Sequence, residues 1–240
     1  MIARALTAAL AAVFFAIPAF AQGAAEAEIK KNVEAALGKE VKVDSVRDAG
    51  FLGLYEVVIN GDIVYTDRKA SYLVLGDVVE TKTRRNLTEQ RKNKLAQIKF
   101  SDLPLELAVK QVRGNGKRVF ATFEDPNCGY CKKLAKDIAT MNDVTIYTFM
   151  LPILSPNSEE KSKAIWCAAD KAKAWNDWMV NGVEPATGKC DASAIDKVSA
   201  LGRKLGIRGT PTIFFADGTR IPGYVPAAQL EQNLAKGSAN

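Results

Sequence analysis

The chain has 240 residues, 33 basic and 27 acidic side chains, a formal net charge of +6 and no histidine. Lacking histidine, it can have no histidine general base, Ser-His-Asp triad or histidine metal ligand, and no c-type haem attachment, which needs His directly after the second cysteine of its motif. The basic pairs Lys30-Lys31, Arg84-Arg85, Arg91-Lys92 and Lys132-Lys133 are scattered among acids, so they describe solvated faces and no nucleic-acid partner is expected.

The first 21 residues read as an export signal. Arg4 precedes an apolar run over 5–17, and Ala19-Phe20-Ala21 places small residues at both cleavage-determining positions, which predicts cleavage after Ala21. The run is short for a bilayer span, and polar residues follow it; a retained anchor is the alternative. Residues 22–85 form the first expected domain. Ile29, Val33 and Leu37 recur every four residues and predict a helix over 24–37, ended by Gly38. Short apolar or alternating runs over 41–46, 54–59, 63–66 and 72–79 predict a small β meander, with Asn60-Gly61 as a hairpin turn. Asn86 followed by Glu89 has helix-start spacing, and the polar stretch 87–99 suits a linker helix within 86–102, closed by Asp102-Leu103-Pro104.

The second domain, 103–240, is expected to be mixed α/β. Strands over 109–112 and 118–123 are joined by Gly114-Asn115-Gly116, a helix runs over 131–141, a strand over 144–150, and helices over 161–178 and 192–205. A hairpin over 212–221 turns at Asp217-Gly218, and a last helix covers 226–234.

The chemistry centres on Cys128-Gly129-Tyr130-Cys131. The thiolate is the attacking species in disulfide exchange, so a working cysteine must sit where negative charge is stabilised. Asn127 is a good N-cap and a helical pattern follows, which places Cys128 at a helix start where unpaired N–H groups and the macrodipole favour the anion. Lys132 and Lys133 add positive charge, and Cys128 is expected to be ionised and exposed. Cys131, one turn on, can attack a mixed disulfide from within the chain. Cys167 and Cys190 read most simply as a structural disulfide closing a helical insertion, which stabilises by roughly 3–4 kcal/mol in the chain-entropy model. A zinc site built from all the cysteines is the alternative; the wide spacing of the second pair argues against it, and no metal is expected. Gly209-Thr210-Pro211-Thr212, leading into a strand, is a candidate cis-proline turn able to offer Thr210 backbone groups to an extended substrate.

The CGYC motif after a strand, Gly-Thr-Pro-Thr before another, and Lys163-Ala164-Ile165-Trp166-Cys167-Ala168 together resemble the bacterial periplasmic disulfide isomerases of the DsbC type. The resemblance spans essentially the whole mature chain. It implies an α+β, cystatin-like N-terminal dimerisation domain joined by a linker helix to a thioredoxin-like α/β domain with a helical insertion, assembled as a V-shaped homodimer in the periplasm. It implies that Cys128 attacks wrongly formed disulfides of misoxidised exported proteins, that Cys131 resolves, that Gly129, Tyr130, Thr210 and Pro211 contact substrate, and that Cys167 and Cys190 are bonded. It further implies chaperone activity, no cofactor, and reduction by the membrane protein DsbD. This chain departs from the pattern at Lys132, where the familiar member has His, and at Thr122, where typical thioredoxins carry a buried acid; Glu124 or Asp125 is the substitute to look for. The rival readings are a thiol oxidase, a DsbG-like chaperone or sulfenic acid reductase, and a holdase without thiol chemistry, separable by resting thiol state and by alkylation of Cys128.

Overall fold

The computed structural model describes residues 19–38 and 40–237, which divide into one compact unit ending at Gly76 and another beginning at Asp77. The leader reading lies outside the described residues except for its last three, which open the first helix. No helix among the described residues is long and apolar enough to cross a membrane.

In the first unit, helix α1 (Ala19–Leu37) packs on an antiparallel meander of β1 (Val43–Asp48), β2 (Tyr55–Ile59), β3 (Asp62–Thr66) and β4 (Leu73–Val74). Ile29 and Val33, one turn apart, are buried with Val43 and Val57, the pattern expected of a helix with one apolar stripe. Asn60 and Gly61 both have positive φ, and Ile59 pairs with Asp62, so they form the two-residue turn whose twist matches its strands. The single strand expected over 72–79 is instead interrupted. Gly76, at φ +139, breaks it into β4 and a separate short strand, β5 (Val79–Glu80), which pairs with β6 (Arg85–Asn86) in the second unit.

In the second unit, α2 (Leu87–Leu95) opens with the Asn86 side chain accepting from the Glu89 N–H, as its spacing predicts. The helix stops short of Lys99. Gln97 turns back onto the Lys94 carbonyl, and Ile98 and Phe100 leave the polar helix to pack against the core of this unit. Two 3-10 turns, at Phe100–Asp102 and Leu105–Leu107, follow before the main sheet.

That sheet contains β7 (Val109–Arg113), β8 (Arg118–Glu124), β9 (Val144–Met150), β10 (Thr212–Phe215) and β11 (Arg220–Pro222), in the spatial order β11-β10-β8-β9-β7. β7 and β8 are therefore not the hairpin that Gly114-Asn115-Gly116 suggests. β9 lies between them, antiparallel to β7 and parallel to β8. The glycine turn instead fits against the start of β9: a Cβ on Gly114 would lie 2.3 Å from the Asp143 carboxylate, and Asn115 N–H donates to that carboxylate.

Helices cover both sides of the sheet: α3 (Gly129–Ala139), α4 (Pro156–Trp166), α5 (Lys171–Asn181), α6 (Ser193–Lys204) and α7 (Ala227–Gly237). The long helix expected over 161–178 is two helices, because Asp170 caps a new start by accepting from Lys173 N–H. The register that matters for function is Thr212 opposite Phe123, which brings the turn before β10 beside the end of β8, where the CGYC motif begins.

Candidate active site

β8 delivers Glu124 into the core, the chain turns through Asp125-Pro126-Asn127, and α3 starts at Gly129 with Cys128 itself as the N-cap. This corrects the expected cap. The Asn127 amide does not reach back to α3; it donates to the Ser158 hydroxyl at 3.1 Å and to the Asn157 side chain at 3.1 Å, tying the loop to the start of α4. Cys128 has no side-chain cap bond on its helix. Its sulfur donates to the Thr210 carbonyl at 3.3 Å, and the Thr210–Pro211 peptide is cis. The expectation of an exposed sulfur is also corrected, since only 8% of Cys128 is accessible: the β10 turn folds over one side of it.

Cys131 is wholly buried in a cluster with Ala135, Ile165 and Trp175. Burial raises its thiol pKa far above the ordinary value, and the Glu124 charge and the neighbouring Cys128, with which it shares a hydrogen bond, push the same way. The two sulfurs therefore differ in character: one sits at a helix start against the Thr210–Pro211 turn, the other is wholly buried in the core.

Of the two acids weighed as the internal partner, Glu124 is the one whose charge acts on Cys131. Its carboxyl is buried, Thr122 donates to one oxygen at 2.7 Å, and the other oxygen has no hydrogen-bond partner. Burial pushes its pKa up to about 8, with the Thr122 hydrogen bond opposing. Asp125 does different work. Its buried carboxylate accepts from the N–H groups of Asn127, Ile153 and Leu154 and from the Ser158 hydroxyl, all within 2.8–2.9 Å, and so fixes the motif loop against the segment after β9.

Gly129 has open space where a Cβ would lie, and Tyr130 is 65% exposed with its ring 6.2 Å from that of Tyr224. Lys132 and Lys133 are not unattached charges: their ammonium groups lie 3.9 Å from the Trp178 ring centre and 4.5 Å from that of Tyr224. Cys167 and Cys190 are bonded to each other, with an S–S distance of 2.04 Å, across the insertion that carries α5. Among the described residues no group of three or more His, Cys, Asp or Glu could hold a metal ion. Sequence reasoning missed Asp125 as a loop clamp and passed over Trp178, whose indole N–H donates to the Pro126 carbonyl at 2.6 Å.

Residues 20–89 match the family described as the disulfide bond isomerase protein N-terminal domain, and residues 105–238 match the thioredoxin-like domain family. The probable thiol:disulfide interchange protein DsbC of Bordetella pertussis is 52% identical over 182 residues, which cover 76% of this chain and 65% of that protein. Its Escherichia coli K12 counterpart is 31% identical over 198 residues, covering 81% of this chain and 82% of that protein. The crystal structure of a disulfide interchange protein from Neisseria gonorrhoeae superposes with a TM-score of 0.55 at 42% identity, covering 57% of this chain and all of that one.

Proposed function

The chain belongs to the DsbC family of thiol:disulfide interchange proteins, and on that premise we propose that it is a periplasmic protein disulfide isomerase and reductase acting through Cys128. The chain spans 65% of the length of its Bordetella pertussis relative, so the activity rests on this chain's own site as much as on the likeness. The supporting observation is the meeting of three elements: a sulfur at the first turn of α3, the Thr210 carbonyl it faces, and a second sulfur buried one turn behind.

Cys128 thiolate attacks one sulfur of a substrate disulfide along the S–S axis; a mixed disulfide forms and the other substrate sulfur leaves as thiolate. In isomerisation a different thiolate of the same substrate chain attacks the mixed disulfide on its substrate sulfur, which forms a new substrate disulfide and returns Cys128 with no net redox change. In reduction Cys131 attacks Cys128 instead, releasing reduced substrate and leaving a Cys128–Cys131 disulfide. Cys131 must first lose its proton inside the core, and the buried Glu124, whose charge acts on Cys131, takes it in its ionised form. Thr210 and Pro211 present backbone to an extended substrate chain, and Gly129 and the exposed Tyr130, next in the motif, contact it too.

We assign residues 1–21 to the export signal, 22–85 to dimerisation, 86–102 to the linker and 103–240 to catalysis. The partners are misoxidised exported proteins, a second copy of the chain, and the membrane reductant DsbD, which returns the oxidised pair to thiols; the homodimer also acts as a chaperone. Replacing Cys128 by Ala is expected to abolish refolding of scrambled ribonuclease while the folded state persists. Unchanged isomerase activity in that variant would overturn the assignment, and a purified protein that rests oxidised and donates disulfides would identify an oxidase.

A further inference from the structure

Trp178 lies on α5, in the insertion, and is only half-buried, yet it contacts three separate stretches of chain. Its indole N–H donates to the carbonyl of Pro126, a buried residue two positions before Cys128. Its ring lies 3.9 Å from the Lys132 ammonium, directly after Cys131, and 4.0 Å from that of Lys161 on α4. Lys161 is itself nearly buried, and its charge is balanced by Glu184, in the segment that leads to the Cys190 disulfide. The same ring packs against the cluster that contains Cys128 and Cys131.

A tryptophan serving as core filler has no need to aim its N–H at a catalytic loop or to gather two cations. Indole is the ring that best attracts ammonium groups, and its N–H is a donor only, so both features are used here. Asp125 secures the motif loop through its own N–H bonds and the segment after β9, but it makes no contact with the Pro126 carbonyl. Without Trp178 that buried carbonyl loses its side-chain donor, and Lys132 loses the surface that keeps its charge next to the motif.

We propose that Trp178 is a positioning residue for thiol–disulfide exchange, pinning the Pro126 carbonyl and holding the Lys132 ammonium beside α3 so that the helix start meets the Cys128 sulfur in a fixed direction. The proposal rests on Cys128 being the exchanging sulfur, and the test separates the two. Reduced full-length protein is treated with iodoacetamide at pH 7, equilibrated with a glutathione redox buffer, and melted thermally, for wild type and for Trp178→Phe, which keeps a ring but lacks the N–H. Loss of one hydrogen bond corresponds to about a fivefold effect. The variant is therefore expected to react about fivefold more slowly with iodoacetamide and to shift its exchange constant with glutathione by a similar factor, while still melting cooperatively. Wild-type values of both in a folded Trp178→Phe protein would overturn the proposal. Should that variant fail to fold, Lys132→Met carries the test, with about a twofold slowing expected from the lost cation–ring contact and no change overturning it. A wild-type protein that does not exchange with glutathione would instead remove the exchange reading itself.

Discussion

Glu124 ends β8 inside the core, and its position has a consequence for stability that can be measured apart from catalysis. Its carboxyl is pushed up to about 8 in the folded protein from an ordinary 4.5. Below about pH 4.5 both folded and unfolded chains hold the proton and the residue contributes nothing to pH dependence. Between that point and about pH 8 the unfolded chain releases a proton that the folded chain keeps, so stability falls as pH rises, by at most about 1.4 kcal/mol for each pH unit, and then levels off. Glu124→Gln removes the titration. In urea melts, the stability of the Gln variant relative to wild type is expected to improve by about 2 kcal/mol or more between pH 5 and pH 8. A difference that does not change with pH would mean that Glu124 is ionised in the fold. On the proposed role of Glu124 as proton acceptor for Cys131, the same variant should also slow release of reduced substrate.

At the scale of elements, the hairpin of β10 and β11 is held against the segment that follows α2. Gly218, at φ +82 in that hairpin turn, comes so close that a Cβ there would lie 2.3 Å from the Ile98 carbonyl oxygen. Neither the backbone angle nor the space admits a side chain. Gly218→Ala is therefore expected to cost about 1–3 kcal/mol in a denaturant melt, and a cost below about 0.5 kcal/mol, the range of neutral surface changes, would show that the segment yields freely. This contact also illustrates what the sequence could and could not convey. Asp217-Gly218 marks a turn by composition alone, and so do Asn60-Gly61 and the Asn86 cap, because each depends on residues within a few positions of one another. The order of β7 and β8 was not legible: Gly114 and Gly116 look like a hairpin from neighbouring residues, and only packing on Asp143 and Thr145, about 30 positions on, makes them a crossover. The candidate site divides in the same way. Cys128, Cys131 and Pro211 are legible from motif and spacing, whereas Asp125 holding Ile153 and Trp178 holding Pro126 join positions 28 and 52 apart and leave no periodic signal.

At the scale of the whole molecule, the proposed homodimer needs a surface that favours pairing, and the edge of the first unit's sheet is the candidate that its exposed side chains mark. β4 is a two-residue strand at the edge of its sheet, and beside it Tyr72 is 77% and Leu75 79% exposed. An open edge bearing large apolar side chains and no charge is what protein sheets normally avoid unless another strand covers it. A second copy of the same edge would cover the apolar surface. Pairing also bears on which activity the protein shows, since attacking a disulfide needs one Cys128 and its Cys131, while rearranging several disulfides requires the unfolded substrate to be retained through successive attacks, and two linked binding surfaces retain it far better than one. Tyr72→Asp combined with Leu75→Asp places charge on the edge without touching the thioredoxin-like unit. Light scattering is expected to give a monomer for this variant and a dimer for the parent chain. Refolding of scrambled ribonuclease should fall by about tenfold, as expected for lost avidity, while reduction of insulin by the variant stays near the parent rate. A variant that remains dimeric with full isomerase activity would place the contact elsewhere on the first unit, and a monomer that isomerises as fast as the dimer would sever the link between assembly and rearrangement.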